Sequence, residues 1–207
     1  MTDMIPGVVL AAGAATRMGR PKALLPTGSA GETFLSRAVS TLQAAGVDDV
    51  VVVVAPGADD VRRAVAALPV LTRVVENPHP EHGQLSSVLA GLNLVDHPGV
   101  MAMLVTLVDA PFVRVDTVRA LLAAYRRTVA PVVRPASGGR HGHPVIFDRR
   151  VFHELRHADP ALGAKAVVRA HGLEVLDVDV EDEGAFQDID TPEDYERATG
   201  RPLPGGA

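Results

Sequence analysis

Arg17 and Lys22 lie in a stretch of small residues, Leu10-Ala-Ala-Gly13-Ala-Ala-Thr-Arg17-Met-Gly19-Arg-Pro21-Lys22, that suits a polyphosphate. Small side chains at Ala11, Ala12, Gly13, Ala14 and Ala15 let a ligand approach the main chain. Its N–H groups can then point at anionic oxygens while the two cations neutralise charge. The spacing differs from the two commonest nucleotide loops. A P-loop needs G-x-x-x-x-G-K-[ST] and a dinucleotide fingerprint needs G-x-G-x-x-G, and Gly13, Gly19 and Lys22 satisfy neither. An ordinary surface loop between strand and helix is the alternative use of these residues.

Carboxylates come next, because phosphoryl transfer concentrates negative charge that a divalent cation on one or two carboxylates can offset. Asp109 follows the apolar run Met101 to Val108 and precedes Ala110 and Pro111, so it is expected at the end of a strand, facing a cleft. Its alternative use is to cap the turn before Pro111. In Phe186-Gln-Asp188-Ile-Asp190-Thr-Pro-Glu-Asp-Tyr195, Asp188 and Asp190 share one side of an extended segment. Asp188 is the favoured metal ligand of the two, and Asp190 is expected to cap the following helix. Asp177, Asp179, Glu181, Asp182 and Glu183 read as a solvated strand face and turn.

Gly83, Ser86 and Ser87 stand at the start of an apolar helix, where N–H groups and hydroxyls can meet a base or ribose; plain capping by Ser86 is equally compatible. The pairs His79/His82 and His141/His143 lack third and fourth ligands at finger or zincin spacing, and with no cysteine in the chain zinc is not expected. No G-x-S-x-G elbow supports a serine nucleophile.

The elements that must position these groups alternate. Short β-branched runs at Gly7 to Leu10, Val50 to Val54, Arg73 to Val75 and Met101 to Val108 are separated by amphipathic stretches at Thr33 to Ala45, Asp59 to Leu68 and Leu85 to Leu94. Val115 to Tyr125 is a further helix. Pro131 to Arg134 and His143 to Phe147 flank a flexible glycine loop, Ala136 to Arg140. Helices at Asp148 to Leu155 and Ala161 to Ala170 then lead to a strand at Leu173 to Val178. A last helix starts near Thr191, with Pro192 at its first position and Asp194 completing the cap. This order predicts an α/β chain with a mostly parallel sheet covered on both faces, and a phosphate loop at the carboxyl end of a strand. One domain over residues 1–200 and a disordered tail over 201–207 are expected.

With 207 residues, 47% of them hydrophobic, the chain has ample material for one core. A net charge of −5 argues against nucleic acid as a partner, and no segment reaches the ~18 apolar residues of a membrane span. Without cysteine or a secretory leader, a cytoplasmic location is expected.

Strand-LAAGxxxRMGxPKxLLP resembles the opening signature of the MobA-like nucleotidyltransferases, specifically the molybdenum-cofactor cytidylyltransferase (MocA-like) branch, and the likeness runs over roughly residues 7 to 196. It implies a three-layer αβα sandwich of the nucleotide-diphospho-sugar transferase type, with a Rossmann-like mixed, mainly parallel sheet. It also implies transfer of NMP from an NTP to a phosphorylated acceptor such as molybdopterin, with Mg2+ or Mn2+. Leu10, Ala11, Ala12, Gly13, Arg17, Lys22, Gly83, Ser86 and Ser87 would then meet the nucleotide, with Arg17, Lys22 and Asp109 catalytic. Asp109 and Asp188 would hold the metal. His143, in Gly142-His143-Pro144-Val-Ile-Phe147, and Lys165, in Gly163-Ala164-Lys165, would lie toward the acceptor, though a solvated helix lysine is the plainer reading of Lys165. Ala110 stands where the family more often has Gln, which puts that side chain's contact in doubt.

Ala12 and Pro21-Lys22-Ala-Leu-Leu-Pro26 look cytidylyl-type by the same resemblance, making CTP the expected donor, with guanylyl transfer or another small acceptor as the alternative. A client molybdoenzyme is left open as a partner. Other classes on this fold are an NAD(P)-dependent oxidoreductase, which the missing dinucleotide fingerprint disfavours, and a non-catalytic nucleotide-binding module.

Overall fold

The computed structural model describes residues 4–13 and 18–204. Val50 to Val54 contributes five consecutive valines, all fully buried, and this β-branched run is strand β2. A strand apolar at every position must be covered on both faces, and that sets the architecture. The other central strands are β1 (Gly7–Leu10), β3 (Thr72–Glu76) and β4 (Ala102–Leu107). They run parallel in the order β3-β2-β1-β4. Beyond β4 the sheet is mixed. Antiparallel β7 (Val145–Asp148) joins β4 to β5 (Val132–Ser137), which pairs in parallel with β8 (Val175–Asp179) and antiparallel with the short β6 (Arg140–His141).

Helices cover the two faces. On one, α1 (Phe34–Ala44) packs with α4 (Val115–Thr128); on the other, α3 (Gln84–Val95) lies over the central strands and meets α5 (Phe152–His157). Glycine permits the closest of these contacts. A Cβ on Gly91 of α3 would lie 2.5 Å from a Val8 methyl carbon, so only a residue without a side chain lets α3 seat on β1. Helix α2 (Asp59–Ala66) packs on β2 and β3. The starts of α1 and of α7 (Pro192–Thr199) are set by local chemistry. Thr33 with Ser36, and Thr191 with Asp194, form reciprocal capping boxes, each worth roughly 1 kcal/mol.

Several expectations are corrected. The glycine loop is a tight hairpin, with Gly138 and Gly139 at φ 55° and 80° turning β5 into β6, a conformation that glycine adopts without steric cost. The helix expected from Asp148 is delayed, because Asp148 ends β7 and caps a short 3-10 turn before α5. Helix α6 is confined to Lys165–Ala170, preceded by turns, and β8 starts at Val175 after a 3-10 turn. Separately, Leu203 beyond α7 packs against the core.

Candidate functional site

Strand order reverses between β1 and β4, since the connection from β1 leads to β2 on one side while β4 lies on the other. Open α/β sheets gather ligands in the crevice outside the carboxyl ends of strands at such a point. Two of the sequence candidates emerge there: the loop from Leu10 through Gly13, and Asp109 just beyond β4. A Val108 N–H bond to the Leu10 carbonyl, 3.1 Å, ties the two strand ends. Ala11 donates its N–H to Val53 at 2.8 Å, so that group serves the sheet. Gly13 is exposed with open space around it. Arg17 lies outside the described residues.

Lys22 enters a 3-10 turn fixed by Pro21 and extends its ammonium between two carboxylates, 2.8 Å from Asp109 and 2.5 Å from Asp190. Its side chain is only 16% exposed. Burial opposes the charge, but hydrogen bonds to both aspartates outweigh it and hold the ammonium above its ordinary value. Asp190 therefore does not cap α7. Thr191 does so, and the Asp190 carboxylate crosses to Lys22 instead.

Asp188 lies next to this pair with much of its surface exposed, and among the described residues no side-chain hydrogen bond reaches it. Partial desolvation by the surrounding protein raises its pKa first, and the carboxylates of Asp109 and Asp190 raise it further, against the pull of Lys22 and Lys165. One lysine thus bridges two of three neighbouring acids while the third remains costly to ionise. This hard-oxygen donor set suits Mg2+ or Mn2+. Among the described residues the trio's oxygens do not all lie at ligand spacing of one another, and Lys22 bridges two of its members.

The backbone that carries these acids is locked by close approaches. Ile189 donates its N–H to the Asp109 carbonyl at 2.8 Å, fixing the segment of Asp188 and Asp190 against the end of β4. A Cβ on Gly184 would fall 2.1 Å from the Phe112 carbonyl oxygen, and one on Gly142 would fall 1.9 Å from that of Ala185. Asp182 fastens the same junction. It is buried and accepts from the Arg114 N–H at 2.8 Å, the Thr117 hydroxyl at 2.5 Å and the Gly184 N–H at 3.1 Å. The solvated reading of Asp182 is therefore wrong. The periodicity of an acidic run cannot show that one member turns inward to meet donors on α4.

A cleft of about 710 Å³ opens beside the acids, with Leu10, Gly83, His143, Lys165, Phe186 and Asp188 in its wall. Arg134, His141 and Arg169 also line it, the first two paired with Asp177. His143 is held neutral, chiefly by burial, with Asp109 opposing and Lys165 assisting. Its Nδ1 is buried and has no hydrogen-bond partner among the described residues. Lys165 is exposed at the first residue of α6 and is near enough to act on both His143 and Asp188.

Ser86 and Ser87 are not brought to this cleft wall, although Gly83 is. Both hydroxyls accept from the amide of Asn77, at 2.8 and 3.0 Å, and Ser86 donates to the carbonyls of Gly83 and His79. Asn77, 1% exposed, also accepts the His79 N–H. It is a residue that sequence reading missed, and a lone Asn after a strand carries no distinguishing pattern.

Fold and site together define a nucleotidyltransferase of the α/β, divalent-metal type. The MobA-like NTP transferase domain matches residues 7–175, and the chain belongs to that family. It is 34% identical over 213 residues to the nicotine blue oxidoreductase of Paenarthrobacter nicotinovorans, spanning 95% of this chain and 98% of the relative. It is 35% identical over 164 residues to the molybdenum cofactor guanylyltransferase of Bradyrhizobium sp. (strain ORS 278), spanning 76% of this chain and 72% of the relative. The crystal structure of Rv0371c from Mycobacterium tuberculosis H37Rv superposes with a TM-score of 0.82 at 30% identity, covering 97% of this chain and 100% of that one. Rv0371c has also been solved in complex with manganese, at TM-score 0.75 and the same identity and coverage. No helix among the described residues is long and apolar enough to cross a membrane.

Proposed function

We propose that this chain transfers CMP from CTP to the terminal phosphate of a molybdopterin-like acceptor in molybdenum-cofactor biosynthesis, releasing pyrophosphate. The observation that carries the reading is the meeting of Lys22, Asp109, Asp188 and Asp190 at the carboxyl ends of β1 and β4, beside a cleft that His143, Lys165 and Arg169 also line.

In this reading the acceptor phosphate oxygen attacks the α-phosphorus in line. The bond from that phosphorus to the bridging oxygen breaks, and pyrophosphate leaves with the bonding pair. A divalent ion held by Asp109 and Asp188 would offset charge on the α-phosphate oxygens. Lys22 turns from Asp190 toward the leaving pyrophosphate and neutralises it, while the loop from Leu10 to Gly13 and Arg17 hold the triphosphate. His143 and Lys165 orient the acceptor phosphate. No side chain need become covalently attached, because positioning and charge neutralisation supply most of the barrier reduction in such transfers.

The test is pyrophosphate release by the purified protein with Mg2+, each of the four NTPs, and molybdenum-loaded molybdopterin. Release with CTP that depends on the acceptor is expected. GTP preference would move the chain to the activity in the name of its Bradyrhizobium relative, and silence with every NTP despite nucleotide binding would overturn the acceptor. A second reading rests on the near-full-length likeness to nicotine blue oxidoreductase. Oxidation of NAD(P)H in the presence of nicotine blue, without pyrophosphate chemistry, would establish it. The Leu10 to Lys22 loop, which lacks G-x-G-x-x-G, weighs against it.

A further inference from the structure

His79-Pro80-Glu81-His82 forms a 3-10 turn between β3 and α3, and none of its side chains has a part in the transfer chemistry described above. Among the described residues, His79, Glu81 and His82 are the one trio of His, Asp or Glu whose ligand atoms all lie within 4.8 Å of one another. We propose that these three side chains form a second metal site, for a borderline-soft divalent ion such as Zn2+, at the rim of the cleft just before α3.

The distances favour it. Ligand atoms about 2.0–2.1 Å from a tetrahedral zinc stand roughly 3.3 Å from each other. His79 Nδ1 lies 3.1 Å from Glu81 Oε1, and His82 Nε2 lies 3.6 Å from the same oxygen. The imidazoles stack at 5.0 Å between ring centres, and each has a nitrogen near the same Glu81 oxygen. Two imidazoles and one carboxylate are a donor set that zinc accepts while keeping a coordination position open to water or a small anion.

The turn that bears them is also held in place. Asn77, buried at the end of β3, accepts the His79 N–H and donates to Ser86 and Ser87. Ser86 donates to the His79 carbonyl. Pro80 opens the turn with a fixed φ. Binding there would order only side-chain rotamers. The site differs in kind from the carboxylate cluster, whose hard oxygens suit Mg2+ or Mn2+. Because Gly83 both ends the turn and lines the cleft, an ion here would brace the cleft's edge.

The experiment is titration of the full-length chain, free of any affinity tag, with Co2+ in excess Mg2+. It is followed by visible ligand-field absorption, then by competition with Zn2+. One saturable equivalent, displaced by Zn2+, is expected. His79→Ala and His82→Ala should each weaken binding at least about tenfold, the low end of what disturbing a metal's ligand shell costs. Asp188→Asn should leave binding unchanged. The three side chains are 62 to 63% exposed, so thermal melting of the metal-free variants should match the parent and separate a lost site from a lost fold. No saturable absorption in the parent, or absorption that survives both histidine changes, would overturn the proposal. So would absorption that disappears only with Asp188→Asn. This outcome is independent of nucleotide transfer, which is read by pyrophosphate release.

Discussion

Two groups of acids stand at different places in this molecule and are treated in opposite ways. Asp148 accepts from the Tyr125 hydroxyl at 2.7 Å and from the Arg150 backbone and side chain, each at 2.8 Å. Asp182 likewise meets three donors, two of them from the start of α4. At the carboxyl ends of β1 and β4, by contrast, Asp109 and Asp190 share one lysine and Asp188 is left with a raised pKa. A carboxylate surrounded by fixed donors is finished and holds the fold together. Carboxylates that crowd one another with too little positive charge are a place for a cation to enter.

The contrast breaks most visibly at Asp109. Replacing it by Ala should lower nucleotidyl transfer at least about 10³-fold, the upper range for loss of one preorganised electrostatic group. Folding should be little disturbed, since Lys22 keeps Asp190 as a partner. Steady-state pyrophosphate release and thermal melting on the same sample would check both halves, and unchanged turnover would remove Asp109 from the site. Asp182→Ala should do the reverse. It leaves the Arg114 N–H and the buried Thr117 hydroxyl without their acceptor, a loss of about 1–3 kcal/mol of stability read by urea unfolding. Activity per folded molecule should fall less than with Asp109→Ala, because Asp182 acts only through the segment it holds.

How far these two groups could be told apart beforehand depended on the range of the interaction that decides each. Strands β1, β2 and β4 were legible because runs such as Val50 to Val54 are apolar at every position, and α7 because Thr191, Pro192 and Asp194 lie within one turn. Asp109 was legible by position, as the first acid after an apolar strand. Asp190 was misread as a cap because its true partner, Lys22, is distant in the chain, and no local pattern announces a pairing made by the switch in strand order. Asp182 was misread for the same reason within an acidic run. The histidine pair was set aside because its third ligand, Glu81, belongs to neither the Cys/His finger pattern nor the zincin helix.

The smallest effect sharpens the comparison most, because it has a sign that a structural acid cannot give. Asp188 has a folded-state pKa above its unfolded value. The native state therefore holds the proton more tightly than the unfolded chain. The stability this contributes is full below the ordinary aspartate range of about 4 and is lost as pH rises through and beyond it. Asp188→Asn cannot ionise and escapes that loss, so without metal its melting temperature at neutral pH should exceed the parent's, with the two converging in acid. Adding Mg2+ or Mn2+ should invert the order, because an ion that binds the native state alone stabilises the parent by mass action and gains little from the variant. If Asp188 were a finished structural acid like Asp182, the Asn variant would melt lower at neutral pH with or without metal, and the distinction between the two groups of acids would fail.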